Sequence, residues 1–176
     1  EEAQAKKQQL PAFTPSATFT EKRLLPNMEK YSGFVHLDFD KLTPEQLDAA
    51  FKVIAEIPYT FLCFISPSGN GLKVFIEVNT EIEHHDIAYL QVQKHYEDAI
   101  GLKADPSCKD ITRLCFMSYH PGLFKNIRNE KFKVQLPEIF TQPEVLPKAQ
   151  PVIPPVQEEP EEDLNIAFIF NQQIQF

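Results

Sequence analysis

No run of apolar residues in this 176-residue chain approaches the length that spans a bilayer, and no charged-then-apolar leader opens it. The expectation is a cytoplasmic protein with no membrane partner. The first residue is Glu rather than Met, which fits a processed or excised piece. The three cysteines, Cys63, Cys108 and Cys115, include no C-x-x-C pair, which argues against a zinc site. An odd, scattered set fits reduced thiols in the cytoplasm, and Cys63 and Cys115 lie inside apolar runs as core residues do. No Ser or Cys sits in a recognisable nucleophile elbow, so no hydrolase triad is indicated. Glycine is scarce at 5 residues, whereas the 15 prolines are plentiful and unevenly placed.

Charge is uneven too. Of the formal net charge of −8, residues 137–176 carry −6, from seven acids against the single base Lys148. Residues 1–136 are therefore nearly neutral at −2. Their bases cluster at Lys125, Arg128, Lys131 and Lys133, a group that could follow a phosphate backbone, although a solvated loop is the commoner meaning. Seven prolines in acidic sequence from Pro137 onward read as a linker over 137–163. Residues 164–176 turn apolar again, as at the start of a following segment or in a partner-binding tail. Residues 1–30 read as an N-terminal arm held by Phe13 and Phe19. One domain over 31–136 remains.

That domain is organised around YSGFVHLDFD, residues 31–40. In an extended chain Val35, Leu37 and Phe39 share one face and Phe34, His36, Asp38 and Asp40 the other. Two neighbouring carboxylates repel unless a cation lies between them, and hard divalent cations favour such oxygen ligands. A solvated antiparallel edge explains the same alternation. Thr43, Pro44 and Gln46 form a capping-box start for a helix whose stripe is Leu47, Ala50, Phe51, Ile54 and Ala55, ended by Pro58. Strands are predicted over 59–66 and 72–78 around the turn PSGNG. A helix follows over 83–100, with Ile87, Leu90, Tyr96, Ala99 and Ile100 as its apolar partners and Gly101 as its stop. A last core strand is expected over 111–118, and 132–136 could add another. His84 and His85 read as surface residues.

The order strand, helix, strand, strand, helix, strand is that of an α+β, ferredoxin-like (RRM-like) βαββαβ core: an antiparallel sheet, two helices on one face, and extra strands or arms. That topology puts the 34–39 strand in the middle of the sheet, between the third and fourth strands. Its carboxylate end then meets the beginnings of its neighbours. Asp38 and Asp40 would hold Mg²⁺ or Mn²⁺, with a third carboxylate from the loop before the last strand, where Asp105 and Asp110 lie. Ser66, Ser68, Gly69, Asn70 and Gly71 would cradle phosphates, with Lys73 and Arg113 adding charge. Such a set suits metal-assisted phosphoryl transfer. Taken singly, the Gly-Asn-Gly turn is often only a hairpin and Arg113 only an ion-pair partner. His36 fits a nucleotide or nucleic-acid contact or a structural histidine, and His120 could approach the site from SYHPG.

Three blocks, YSGFVHLDFD, FISPSGNGLKVFIEV and LKADPSCKDITRLCFMSYHP, together resemble the VirE N-terminal-like domain of Bacteroides-type phage, plasmid and integrated-element replication proteins. The resemblance spans roughly residues 10–136. That family in turn looks like a divergent branch of the archaeo-eukaryotic primase superfamily. By that resemblance Asp38 and Asp40 take the place of the first primase motif, Ser68, Gly69 and Lys73 the second, and Asp105 the third. Arg113, Ser118 and His120 follow where primases contact phosphates. The second motif usually presents a histidine to the nucleotide, and Lys73 stands there instead, with different geometry and protonation.

The resemblance implies a primase-polymerase-like nucleotidyltransferase in mobile-element DNA replication. Its partners would be a nucleoside triphosphate, single-stranded or primed DNA, and a helicase-like domain C-terminal to this segment. A non-catalytic single-stranded nucleic-acid-binding module of the same fold is the alternative, with Phe34 and Phe75 as stacking platforms on an open sheet face. A palm-like nucleotidyl cyclase shares the paired carboxylates and stands further off.

Overall fold

Strand β4, Phe34–Phe39, shows what the alternating pattern accomplishes: Val35, Leu37 and Phe39 are all fully buried in one core. A computed structural model of the chain describes residues 9–136. The chain divides into two units, Glu1–Glu138 and Ile139–Phe176, and all the described residues belong to the first. The expected linker (137–163) and tail (164–176) lie outside them, as do residues 1–8 of the arm.

Both helices cover the face of β4 that carries Val35, Leu37 and Phe39. Helix α1, Pro44–Glu56, starts as the capping pattern predicts: Gln46 N–H donates to Thr43 Oγ1 (3.2 Å) and Thr43 N–H donates to Gln46 Oε1 (3.0 Å). Two otherwise orphaned donors are thereby satisfied. The helix ends at Ile57, because Pro58 has no N–H to continue it. Helix α2, His85–Ile100, stops at Gly101, whose φ of 69° lies in the left-handed region that glycine tolerates. Its buried stripe is Ala88, Tyr89, Val92 and Tyr96, rotated from the expected set, and Leu90 is 55% exposed. The aromatic hydroxyls account for the rotation. Tyr96 Oη pairs with Thr60 Oγ1 (2.7 Å) and Tyr89 O–H donates to the Asp105 carbonyl (2.8 Å), so both rings are held inward. His85 also departs from expectation. It is buried, with Nδ1 2.8 Å from Tyr31 Oη.

The main sheet has four antiparallel strands in the order β4-β6-β5-β8, with β5 Thr60–Ile65, β6 Leu72–Glu77 and β8 Phe124–Lys125. Two of the three expected adjacencies hold, since β6 lies between β4 and β5. The central position of β4 does not: it is an edge strand, and a ferredoxin-like arrangement is not completed. The expected 111–118 strand shrinks to β7, Cys115–Phe116, and pairs with β1, Ala12–Phe13, in a separate ribbon. Local turn chemistry explains the loss. Pro106 opens a 3₁₀ turn behind Asp105, and Asp110 accepts from Thr112 N–H (2.8 Å), bending the backbone where a strand would begin. Residues 132–136 contribute only the parallel bridge Val78↔Phe132. A second ribbon pairs β2, Ala17–Phe19, with β3, Met28–Tyr31.

The opposite face of the sheet is covered as well. Phe75 is the centre of a stack, with Phe13 of β1 at 5.8 Å, Phe64 at 5.8 Å and His36 at 5.0 Å from it, and Cys115 joins the cluster. Phe75 is 4% exposed. An open face with Phe75 as a stacking platform is therefore ruled out by the β1–β7 ribbon. The arm's apolar anchor Phe13 is what closes it. Among the described residues, no helix is long and apolar enough to cross a membrane.

Candidate functional site

Antiparallel register sets Asp38 of β4 directly opposite Lys73 of β6. Directly opposed residues share a face, and Lys73 Nζ donates to Asp38 Oδ2. The pair is nearly closed to solvent, at 4% exposure for Asp38 and 6% for Lys73. Asp38 Oδ1 has no hydrogen-bond partner among the described residues. Burial raises the Asp38 pKa, Lys73 opposes that, and the charges of Asp40 and Asp105 push it further up. Lys73 was expected to face a triphosphate. It is instead committed to a carboxylate.

Asp105 reaches the same place from the far end of α2. Its N–H donates to the Asp38 carbonyl at 2.8 Å, so the segment runs along the free edge of β4. Asp105 Oδ1 accepts from Ser107 N–H (2.9 Å), while Oδ2 accepts from Ser107 Oγ (2.6 Å) and Arg113 Nη2 (3.1 Å). Burial pushes its pKa up, but the two Ser107 bonds, then Arg113 and Lys73, outweigh this and hold it below the usual carboxylate value. One 3₁₀ turn later comes Cys108, 1% exposed, its thiol pushed up to about 12 by burial and then by the charges of Asp38 and Asp105. The ligand atoms of Asp38, Asp105 and Cys108 lie within 4.8 Å of one another.

Asp40 is exposed and sits against the 66–71 turn, outside that cluster. The turn is held by its own bonds: Ser66 N–H to the Gly71 carbonyl (2.8 Å), Gly69 N–H to the Ser66 carbonyl (2.9 Å), and Ser68 Oγ to Asn70 Oδ1 (2.6 Å). Two of the amides expected to cradle phosphate are therefore used inside the turn. Gly71 has to be glycine, because a Cβ there would lie 2.6 Å from the Phe39 carbonyl and 2.9 Å from Asp40 Oδ1. The contact holds the two loops together.

The remaining candidates divide. His36 is buried on Phe75 with neither ring nitrogen hydrogen-bonded among the described residues, and its pKa is pushed down to about 3 by burial, then by Lys73 and Arg113. A neutral, enclosed ring does not offer the nucleic-acid contact expected of it. His120 lies across the end of β5, accepting from Ile65 N–H at 3.4 Å and edge-on to Phe51 at 5.6 Å, one residue from Ser66. Lys125, Arg128, Lys131 and Lys133 are all exposed. Lys131 pairs with Glu77 at 2.7 Å, four residues along β6 from Lys73, or about 13 Å at the usual strand rise. Lys131 thus lies at the end of β6 away from the carboxylates, and Lys125 of β8 lies opposite Leu62 of β5.

Sequence reasoning missed Cys108. The signal was Asp105-Pro106-Ser107-Cys108, where an aspartate N-cap with Pro at the first position closes a single turn and brings residues three apart together. The arrangement can hold a cation. Asp38 and Asp105 are oxygen donors, and one Asp38 oxygen has no partner among the described residues.

The family model described as BT4734-like, N-terminal domain matches residues 5–124. No curated protein and no solved structure matches the chain.

Proposed function

The chain belongs to the family of BT4734-like N-terminal domains, and we propose that it is a nucleotide-binding, metal-dependent nucleotidyltransferase domain of the primase-polymerase type in mobile-element DNA replication. The observation that carries this reading is the buried, unpartnered Asp38 Oδ1 beside Asp105. A buried carboxylate oxygen without a partner is costly, and a divalent cation offsets that cost. The resemblance of the three sequence blocks to the VirE N-terminal-like and primase families supports the same reading, with Asp38 and Asp105 at the carboxylate positions of the first and third motifs.

Each side chain has a definable part. Asp38 and Asp105 would hold Mg²⁺ or Mn²⁺, which supplies charge neutralisation for a triphosphate and activation of an attacking hydroxyl. Lys73, bonded through Oδ2, fixes the Asp38 rotamer and leaves Oδ1 to the ion. Arg113 both orients Asp105 and brings a guanidinium, 43% exposed, to the rim where phosphate oxygens would lie. Exposed Asp40 and the 66–71 turn form the solvent side. The usual nucleotide-facing histidine is replaced by a lysine turned inward, so nucleotide binding relies more on Arg113.

Incorporation of a labelled nucleoside triphosphate on primed single-stranded DNA with Mn²⁺ tests the proposal. Extension by the wild type and its loss in Asp38→Asn and Asp105→Asn is the expected result. Equal extension by the variants, or none by the wild type with any template, contradicts it.

A further inference from the structure

We propose that Cys108 is a third protein ligand, so that the site prefers a transition-metal ion of the Zn²⁺ or Co²⁺ type over Mg²⁺. The inference rests on the cation-site reading above and deepens it by naming the ion's class. Cys108 is buried behind Asp105, and its sulfur lies within 4.8 Å of ligand oxygens of both Asp38 and Asp105. Independently of that clustering, Asp38 is 4% exposed and its Oδ1 has no partner, the state of a buried acceptor awaiting a cation or donor.

The donor set decides the ion. Two carboxylates alone suit Mg²⁺, which demands oxygen ligands and keeps several waters. Adding a thiolate makes an O,O,S set of three protein ligands, the number found at catalytic zinc sites, with a further position open to water or substrate. Binding would exchange the Cys108 S–H bond for a sulfur–metal bond and release that proton to solvent. Structure around the cluster favours a fixed geometry. Asp105 is tied by Ser107 and Arg113, its backbone by Asp38 and Tyr89, and Cys108 N–H donates to the Asp105 carbonyl at 3.2 Å. Lys73 also lies on Asp38, so the carboxylate would bridge an ammonium and the ion, one oxygen to each.

Titration of the full chain with Co²⁺, followed by absorption, separates this inference from the reading it rests on. One equivalent should give an intense thiolate-to-cobalt charge-transfer band. Cys108→Ser should abolish the band and weaken Zn²⁺ binding about tenfold or more, while Mn²⁺ binding, read from the Mn²⁺ resonance signal, changes little. Asp105→Asn touches no thiol and should also lose the band, which keeps the test usable if the buried Cys108 variant does not fold. Co²⁺ binding without the band overturns the role of Cys108 and leaves the carboxylate site standing. A band that persists in Cys108→Ser belongs to another thiol, and one unchanged in Asp105→Asn shows a thiol site that does not use Asp105; either result overturns it as well. No metal bound at all removes both proposals.

Discussion

The Asp105 amide donates to the Asp38 carbonyl at 2.8 Å, joining residues 67 positions apart along the free edge of β4. That bond puts the Asp105 side chain beside Asp38 without a fourth core strand. The edge strand is also blunted, because a loop and 3₁₀ turn rather than another chain occupy that position. The site and the protection of the edge share one cause.

Lys73→Met tests the buried ion pair. Removing one partner leaves Asp38 charged and enclosed, and unfolding in urea should show a loss of about 3–5 kcal/mol. The double variant Lys73→Met/Asp38→Leu should recover more than half of that, since an apolar pair tolerates burial. A single variant within about 0.5 kcal/mol of the wild type would mean that the pair is solvated.

The turn glycines make different demands. Gly71→Ala forces a Cβ to 2.6 Å from the Phe39 carbonyl and 3.0 Å from Ser66 Oγ, both fixed by their surroundings. Its expected cost is about 1–3 kcal/mol, the range for overpacking. Gly69→Ala meets nothing within 4 Å, and its cost is the left-handed φ of 78° alone, about 1–2 kcal/mol. Thermal melts of the two variants check this. Only Gly71→Ala should also disturb Asp40 and any ligand binding there.

The acid side of the stability curve belongs to His36. Its pKa falls from 6.5 to about 3 on folding, with burial as the first cause. Between those values the unfolded chain holds a proton that the folded chain lacks, so stability declines as pH drops through that window. The limit is about 1.4 kcal/mol per pH unit. Asp38 works in the opposite sense: its raised pKa gives the folded chain the extra proton just above the ordinary carboxylate value, so there its contribution fades as pH rises. His36→Leu, a non-titrating side chain of similar volume, should flatten the acid decline in urea unfolding at a series of pH values. An unchanged slope would assign the decline to other groups, His85 first among them, since burial lowers its pKa too.

Local signals in the sequence carried the helix ends, the PSGNG turn and the buried face of β4, because caps, prolines and two-residue alternation act within a few residues. What they could not carry was pairing at a distance. Nothing around Val35 says whether β4 has one neighbour or two, and the turn chemistry of Asp105 and Asp110 outweighed the apolar run that reads as a strand at 111–118. Lys73 alternates correctly for an outward residue, yet the arm returns through Phe13 to cover that face and makes it inward. The phase of α2 was misjudged for a similar reason. Tyr89 is amphipathic, and its partner, the Asp105 carbonyl, lies 16 residues on. Of the candidate site, Asp38, Asp105, Lys73 and Arg113 lie together, whereas Lys131 pairs with Glu77 at the other end of β6 and Lys125 lies opposite Leu62 of β5.

Calorimetric titration of a nucleoside triphosphate into the chain, with Mn²⁺ and with chelator, tests the central claim most directly. The account predicts binding that requires the metal and is lost in Asp38→Asn/Asp105→Asn, with both proteins folded by circular dichroism. Binding that survives chelator or the double substitution, or no binding by the wild type with metal present, would contradict it.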